Sequence, residues 1–155
     1  MLKALLLAGA VVAIGIQLVP YGHDHANPPV GQEAPWPSPD ARRLAVAACY
    51  DCHSNRTTWP WYSDVAPMSW LVVKDVKDGR AALNFTDWAR SRHKDKLHDP
   101  VESGSMPPRK FTLMHPDARL SGAERDRLVE ALRHMEEGGG GSGQGRNRGR
   151  GGGSG

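Results

Sequence analysis

Apolar positions follow different rhythms along the chain. From Ala4 to Val19 they run almost without interruption, so a helix here has no polar face. The sixteen residues of this stretch span about 24 Å at ~1.5 Å per residue. Met1, Leu2 and a snorkelling Lys3 extend the run towards the ~30 Å of a bilayer's hydrocarbon core. A basic start followed by an apolar run is the layout of an export signal. Gly22, His23, Asp24, His25 and Ala26 offer no clear small-x-small cleavage site. The expectation for residues 1–20 is therefore an uncleaved signal-anchor, a transmembrane helix with Lys3 on the cytoplasmic side.

After a proline-rich lead-in over residues 21–37, the rhythm becomes helical. Ser38 is a candidate N-cap, Pro39 suits the first helical position, and Asp40 complements the helix dipole. Leu44, Ala45, Ala48 and Cys49 recur three and four apart and carry this face into the only two cysteines. The aromatic turn "TTWPWYSDVAP" interrupts the pattern. A short helix is expected over "MSWLVVKDVKDGRAAL", with Trp70, Val73 and Val76 or Lys77 at helical spacing, and another from Thr86 as N-cap through Asp87 and Trp88. "LSGAERDRLVEALRHMEE" gives the clearest signal. Ser121 and Glu124 form an S-x-x-E capping box, and Ala123, Leu128, Ala131, Leu132 and Met135 form an apolar stripe. The chain reads as all-α, with one folded domain over residues 38–137 and no internal repeat.

Residues 138–155, "GGGGSGQGRNRGRGGGSG", contain nothing able to join a core, and are expected to be a disordered Gly/Arg-rich tail. Charge argues against nucleic acid as a partner. The chain holds 20 Lys and Arg against 17 Asp and Glu, and Arg146, Arg148 and Arg150 of the tail account for the whole excess. The remainder is balanced, whereas a nucleic-acid-binding domain carries a basic face of its own. The tail reads as a solvated appendage suited to a membrane surface or cell wall. The domain is small enough that a buried ligand would help to stabilise it.

Cys49-Tyr50-Asp51-Cys52-His53 admits three chemistries. A redox dithiol expects a βαβ setting, which the helical flanks do not offer. A structural zinc site needs four ligands, and adjacent Cys52 and His53 make even three awkward. A disulfide across two residues is strained. Covalent haem uses every residue: both thiols add to the haem vinyl groups, and His53 lies under the iron as the proximal ligand. An export signal strengthens this reading, because haem is attached covalently outside the bacterial cytoplasmic membrane.

"ESGSMPPRKF" offers a second axial ligand in Met106, whose thioether is a soft ligand and raises the reduction potential. Pro107 and Pro108 restrict its loop. Met68, Met114 and His115 are alternatives, as is an open iron; His115 could equally support the haem edge through a propionate.

These residues together resemble the haem-binding-domain family of small bacterial monohaem c-type cytochromes. The resemblance spans Asn27 to about Leu132 and rests on "NPP", "CYDCHSNRTTWPWYSDVAPMSWLV", "GRAALNFTDW", and "MPP" followed by "HPDARLS". It implies one haem c on Cys49, Cys52 and His53, and an anchored or exported location. Met106 matches the family's M-P-P methionine and His115 its H-P histidine. The basic stretch before M-P-P departs from the family's acidic pattern, and the Gly/Arg tail has no counterpart. The likeness to class I cytochromes c is looser: first and last helices crossing, haem in the core, and Trp59, Trp61, Trp70 and Trp88 as pocket walls.

The functional expectation is electron transfer in the cell envelope, with the haem domain facing the periplasm or exterior. Its partners would be redox proteins, the inner membrane and, during maturation, the haem-attachment machinery. A haem-based gas or redox sensor with a displaceable ligand is the alternative. No nucleophile with a base and an orienting group points to an enzyme, although weak peroxidase activity stays open.

Overall fold

The computed structural model describes the backbone of residues 1–140 and the side chains through residue 138. Seven α-helices and four short 3-10 turns make up the regular structure among the described residues, without strands. The α-helices are α1 (Leu2–Gly15), α2 (Pro39–Ala48), α3 (Tyr50–His53), α4 (Met68–Ala82), α5 (Asp99–Glu102), α6 (Arg109–Met114) and α7 (Gly122–Gly140). The chain divides into two compact units.

The first unit joins Met1–Ala34 to Cys49–Arg92. Its centre is α4, which buries Ser69, Val73, Val76 and Gly79 along one face. That face packs against α3 and against a 3-10 turn at Trp61–Asp64. The lead-in is tied to the segment after α4 by backbone bonds: Gly31 N–H donates to Thr86 O (2.8 Å), Ala34 N–H to Phe85 O (2.7 Å) and Trp88 N–H to Gln32 O (2.8 Å). Prolines keep the lead-in extended, so its donors are spent on these ties rather than on a helix.

Two expectations are corrected here. Thr86 does not cap a helix. It is fully buried, its hydroxyl accepts the Asn55 N–H (2.7 Å), and it lies beside Asn84 Oδ1 (3.1 Å). A 3-10 turn at Trp88–Arg90 is all that follows. The transmembrane helix over residues 1–20 is likewise not found. Helix α1 stops at Gly15, Ile16–Leu18 tighten into a 3-10 turn, and at ~1.5 Å per residue α1 is about 21 Å long. Gln17 Nε2 donates to Ala66 O (3.1 Å) and Gln17 Oε1 accepts from Ala66 N–H (3.0 Å), which ties the end of the apolar run to the protein. No helix among the described residues is long and apolar enough to cross a membrane. Nor does α1 bury any residue in the domain.

The second unit joins Pro35–Ala48 to the described residues from His93 onward. Ser38 caps α2 as its sequence suggests, its hydroxyl accepting the Ala41 N–H (3.1 Å). Helix α2 buries Ala41, Leu44, Ala45 and Ala48, and packs on α7. From α7, Leu128, Val129, Ala131, Leu132 and Met135 are buried. Each fully buried leucine contributes roughly 1.5–3 kcal/mol, so this pairing is the main apolar core of the unit. Ala123, counted in the stripe from spacing alone, is exposed in the first turn. The capping box forms in both directions, Ser121 N–H to Glu124 Oε2 (2.9 Å) and Glu124 N–H to Ser121 Oγ (3.3 Å). Helix α7 continues to Gly140; the tail from residue 141 lies outside the described residues.

Candidate functional site

Cys49, Cys52 and His53 come together in the first unit. The helical run from α2 breaks at Cys49, whose φ and ψ of −129° and −33° are not helical, and restarts as α3. The one-turn helix brings His53 N–H (2.8 Å) and Cys52 N–H (3.2 Å) onto the Cys49 carbonyl, fixing the spacing of the motif.

The His53 ring is oriented by α4. Its Nδ1 lies 3.0 Å from Gly79 O and 3.1 Å from Leu83 O. Both partners are acceptors, so Nδ1 carries the proton and Nε2 is left with its lone pair. Burial pulls the imidazole below its ordinary value, and the bonds to Leu83 and Gly79 only partly offset this. A neutral ring with a committed Nδ1–H is the arrangement of a metal-ligating histidine.

Gly79 makes this approach possible. A Cβ there would lie 2.5 Å from Cys52 O and 3.1 Å from Cys52 Cβ, so only glycine lets α4 sit against the motif. Arg80 ties the same turn down, donating from Nε to Ser54 O (2.8 Å) and from Nη2 to Thr57 Oγ1 (2.8 Å) and Asn27 Oδ1 (2.6 Å). Neither residue was a sequence candidate. The available signal was a glycine inside a helical pattern, which costs ~1 kcal/mol against alanine and so calls for a packing reason.

The two thiols are not bonded to one another. Burial, and then the neighbouring Cys52, push the Cys49 thiol up to about 12. It stays protonated at neutral pH, unlike the low-pKa thiolate of a redox dithiol. The cysteine motif is not among the described groups of His, Cys, Asp and Glu side chains that converge on one ion. The raised thiol weakens the dithiol reading.

The aromatic expectations separate. Trp59 stacks on His25 with centroids 4.5 Å apart, the Arg80 guanidinium lies 6.0 Å from its ring centroid, and its buried Nε1–H has no partner. Trp61 is 76% exposed and meets Tyr62 edge-on, so it is not a wall within the unit. Trp88 stacks on Phe85, which also meets the His53 ring edge-on at 6.4 Å.

Met106 and His115 belong to the second unit. Met106 is 38% exposed, its N–H donates to Pro100 O (2.8 Å), and it borders a cavity of about 230 Å³ with Val101, Pro107, Ala118 and Leu120. The His115 ring stacks on Phe111 at 4.0 Å and its Nδ1 donates to Phe111 O (3.0 Å). Met68 and Met114 are exposed.

An all-helical fold and a neutral histidine with an uncommitted Nε2, in one motif with two thiols, are compatible with a haem-binding domain. The chain belongs to the haem-binding domain family, whose model matches residues 11–134. No curated protein and no solved structure matches it.

Proposed function

We propose that the protein is a monohaem c-type cytochrome, related in arrangement to class I cytochromes c, that carries electrons in the bacterial cell envelope. The observation that carries this reading is the His53 ring: Nδ1 is held by two backbone carbonyls, and Nε2 remains open beside two cysteines. The thiols of Cys49 and Cys52 hold the haem through thioether bonds, and His53 Nε2 is the proximal ligand. Haem supplies a one-electron iron couple; the chain sets its orientation and potential. Carbonyl acceptance at Nδ1 makes the imidazole a better donor and resists rotation of the ring.

Met106 is the distal ligand in this reading, supported by its soft sulfur, the paired prolines after it and its place at a cavity edge. His115, its ring stacked on Phe111, is assigned in this reading to support of the haem edge. The domain works outside the cytoplasmic membrane, where haem is attached. The exposed α1, apolar on every side, is the surface offered to lipid, since Leu2, Leu5, Leu6, Leu7 and Ile14 need an apolar neighbour. Redox proteins are its partners.

Expression alongside a haem-attachment system tests the reading. The wild type should keep haem through denaturing electrophoresis, and Cys49→Ala with Cys52→Ala should lose it. Purified wild type carrying zinc and no haem would overturn the proposal.

A further inference from the structure

Helix α5 lies just before the methionine loop and is gripped at both ends by α7. At its leading end the Glu136 carboxylate accepts from Leu97 N–H, from His98 N–H (2.9 Å) and from His98 Nδ1 (2.9 Å). At its trailing end Arg133 Nη2, one turn earlier on α7, donates to both oxygens of Glu102 (2.7 and 2.8 Å). Leu97 and Val101 are buried between these grips. Burial pushes the Glu136 carboxyl up, but the bonds from His98 and Leu97 outweigh it and leave it below its ordinary value.

What α5 holds is the approach to Met106. The Pro100 carbonyl, in the middle of α5, accepts from Met106 N–H (2.8 Å), Ser105 Oγ (3.1 Å) and Ser103 Oγ (3.3 Å). Gly104, at φ +73°, makes the reversal that allows one carbonyl to gather them. His98, Asp99 and Glu102 also bring ligand atoms within 4.8 Å of one another, as a cation site does. Arg133 occupies Glu102 and Glu136 occupies His98, so the cluster is a latch rather than a vacancy for an ion.

We infer that Glu136, assisted by Arg133, is a positioning residue for the distal ligand: by fixing α5 it fixes Pro100 O, and through it the Met106 backbone. This rests on Met106 being that ligand. The four-residue α5 is too short to hold its own shape, so without the Glu136 acceptors it frays and the sulfur loses its preset position.

Imidazole titration of the ferric haem protein reads the strength of the methionine–iron bond, because imidazole must displace the sulfur. Glu136→Ala should bind imidazole about tenfold more tightly than wild type, the loss expected when hydrogen bonds to a charged group go. The far-red sulfur-to-iron band should weaken with it. Glu136→Gln keeps one acceptor oxygen and should recover part of the effect. If Met106→Ala tightens imidazole binding and removes the band while Glu136→Ala stays within about twofold of wild type, the positioning role is wrong and the ligand assignment stands. If Met106→Ala changes neither, the ligand assignment fails and the inference fails with it. Should Glu136→Ala not give folded haem protein, Arg133→Gln replaces it with an expected change of about threefold, and no change overturns the inference.

Discussion

Replacing Gly79 by alanine probes the contact on which the cysteine motif depends. The new methyl would sit 2.5 Å from Cys52 O, against a floor of 3.0 Å for real Cβ contacts, so α3 and α4 must part by at least 0.5 Å. The obstacle is backbone and has no rotamer by which to yield. Parting the helices stretches the 3.0 and 3.1 Å bonds of His53 Nδ1 to about 3.5 Å, where such bonds fail. Overpacking costs roughly 1–3 kcal/mol and the weakened hydrogen bond about 1 kcal/mol. Alanine returns about 1 kcal/mol as the better helix former. The net expectation is a loss of about 2 kcal/mol. Guanidinium denaturation of the haem-loaded protein, followed by tryptophan fluorescence and haem absorbance together, measures it. Resonance Raman of the ferrous protein in a Met106→Ala background should also show a lower iron–histidine stretching frequency, because the imidazole has lost its carbonyl acceptors. Stability within about 0.5 kcal/mol of the parent, with an unchanged stretch, would refute the packing argument.

Met106→Ala should open the iron without unfolding the domain, gaining carbon monoxide binding in the ferrous state and losing the far-red band; free carbon monoxide binding by the wild type favours the sensor reading. His53 gives a pH dependence to the haem-free Cys49→Ala, Cys52→Ala protein. Burial lowers its folded value beneath the ordinary 6.5, so its contribution is full above 6.5 and is lost as pH falls through the lowered value. Urea midpoints should therefore drop from about pH 7.5 to about pH 5, and His53→Gln should flatten that drop. Leu6→Glu with Ile14→Glu should release the protein from lipid vesicles, as measured by flotation; unchanged binding would remove α1 from the membrane contact.

The parts legible in the sequence are those set by local physics. Ser38, Pro39 and Asp40 begin α2, and the Ser121–Glu124 box begins α7, because caps depend on residues within one turn. The grouping of Cys49, Cys52 and His53 was legible because they lie within one turn of chain. What stayed hidden depends on long-range partners. Thr86 looks like an N-cap until Asn55 and Asn84 claim its hydroxyl. Gly79 and Arg80 lie 26 residues beyond His53 and Ser54, which they serve. The run to Val19 looks continuous, yet Gln17 is drawn to Ala66 and the helix ends early. Glu136 reads as one more exposed acid on α7 until Leu97 and His98 are brought to it.

The central claim is that Cys49 and Cys52 hold haem covalently with His53 beneath the iron. Intact-mass measurement of the denatured wild-type protein tests it most directly, with His53→Gly and the double cysteine variant measured beside it. The account predicts a wild-type mass increased by one haem, no haem on the double cysteine variant, and covalently bound but spectrally altered haem wherever His53→Gly matures. A haem-free mass for wild type matured beside an active attachment system would contradict it.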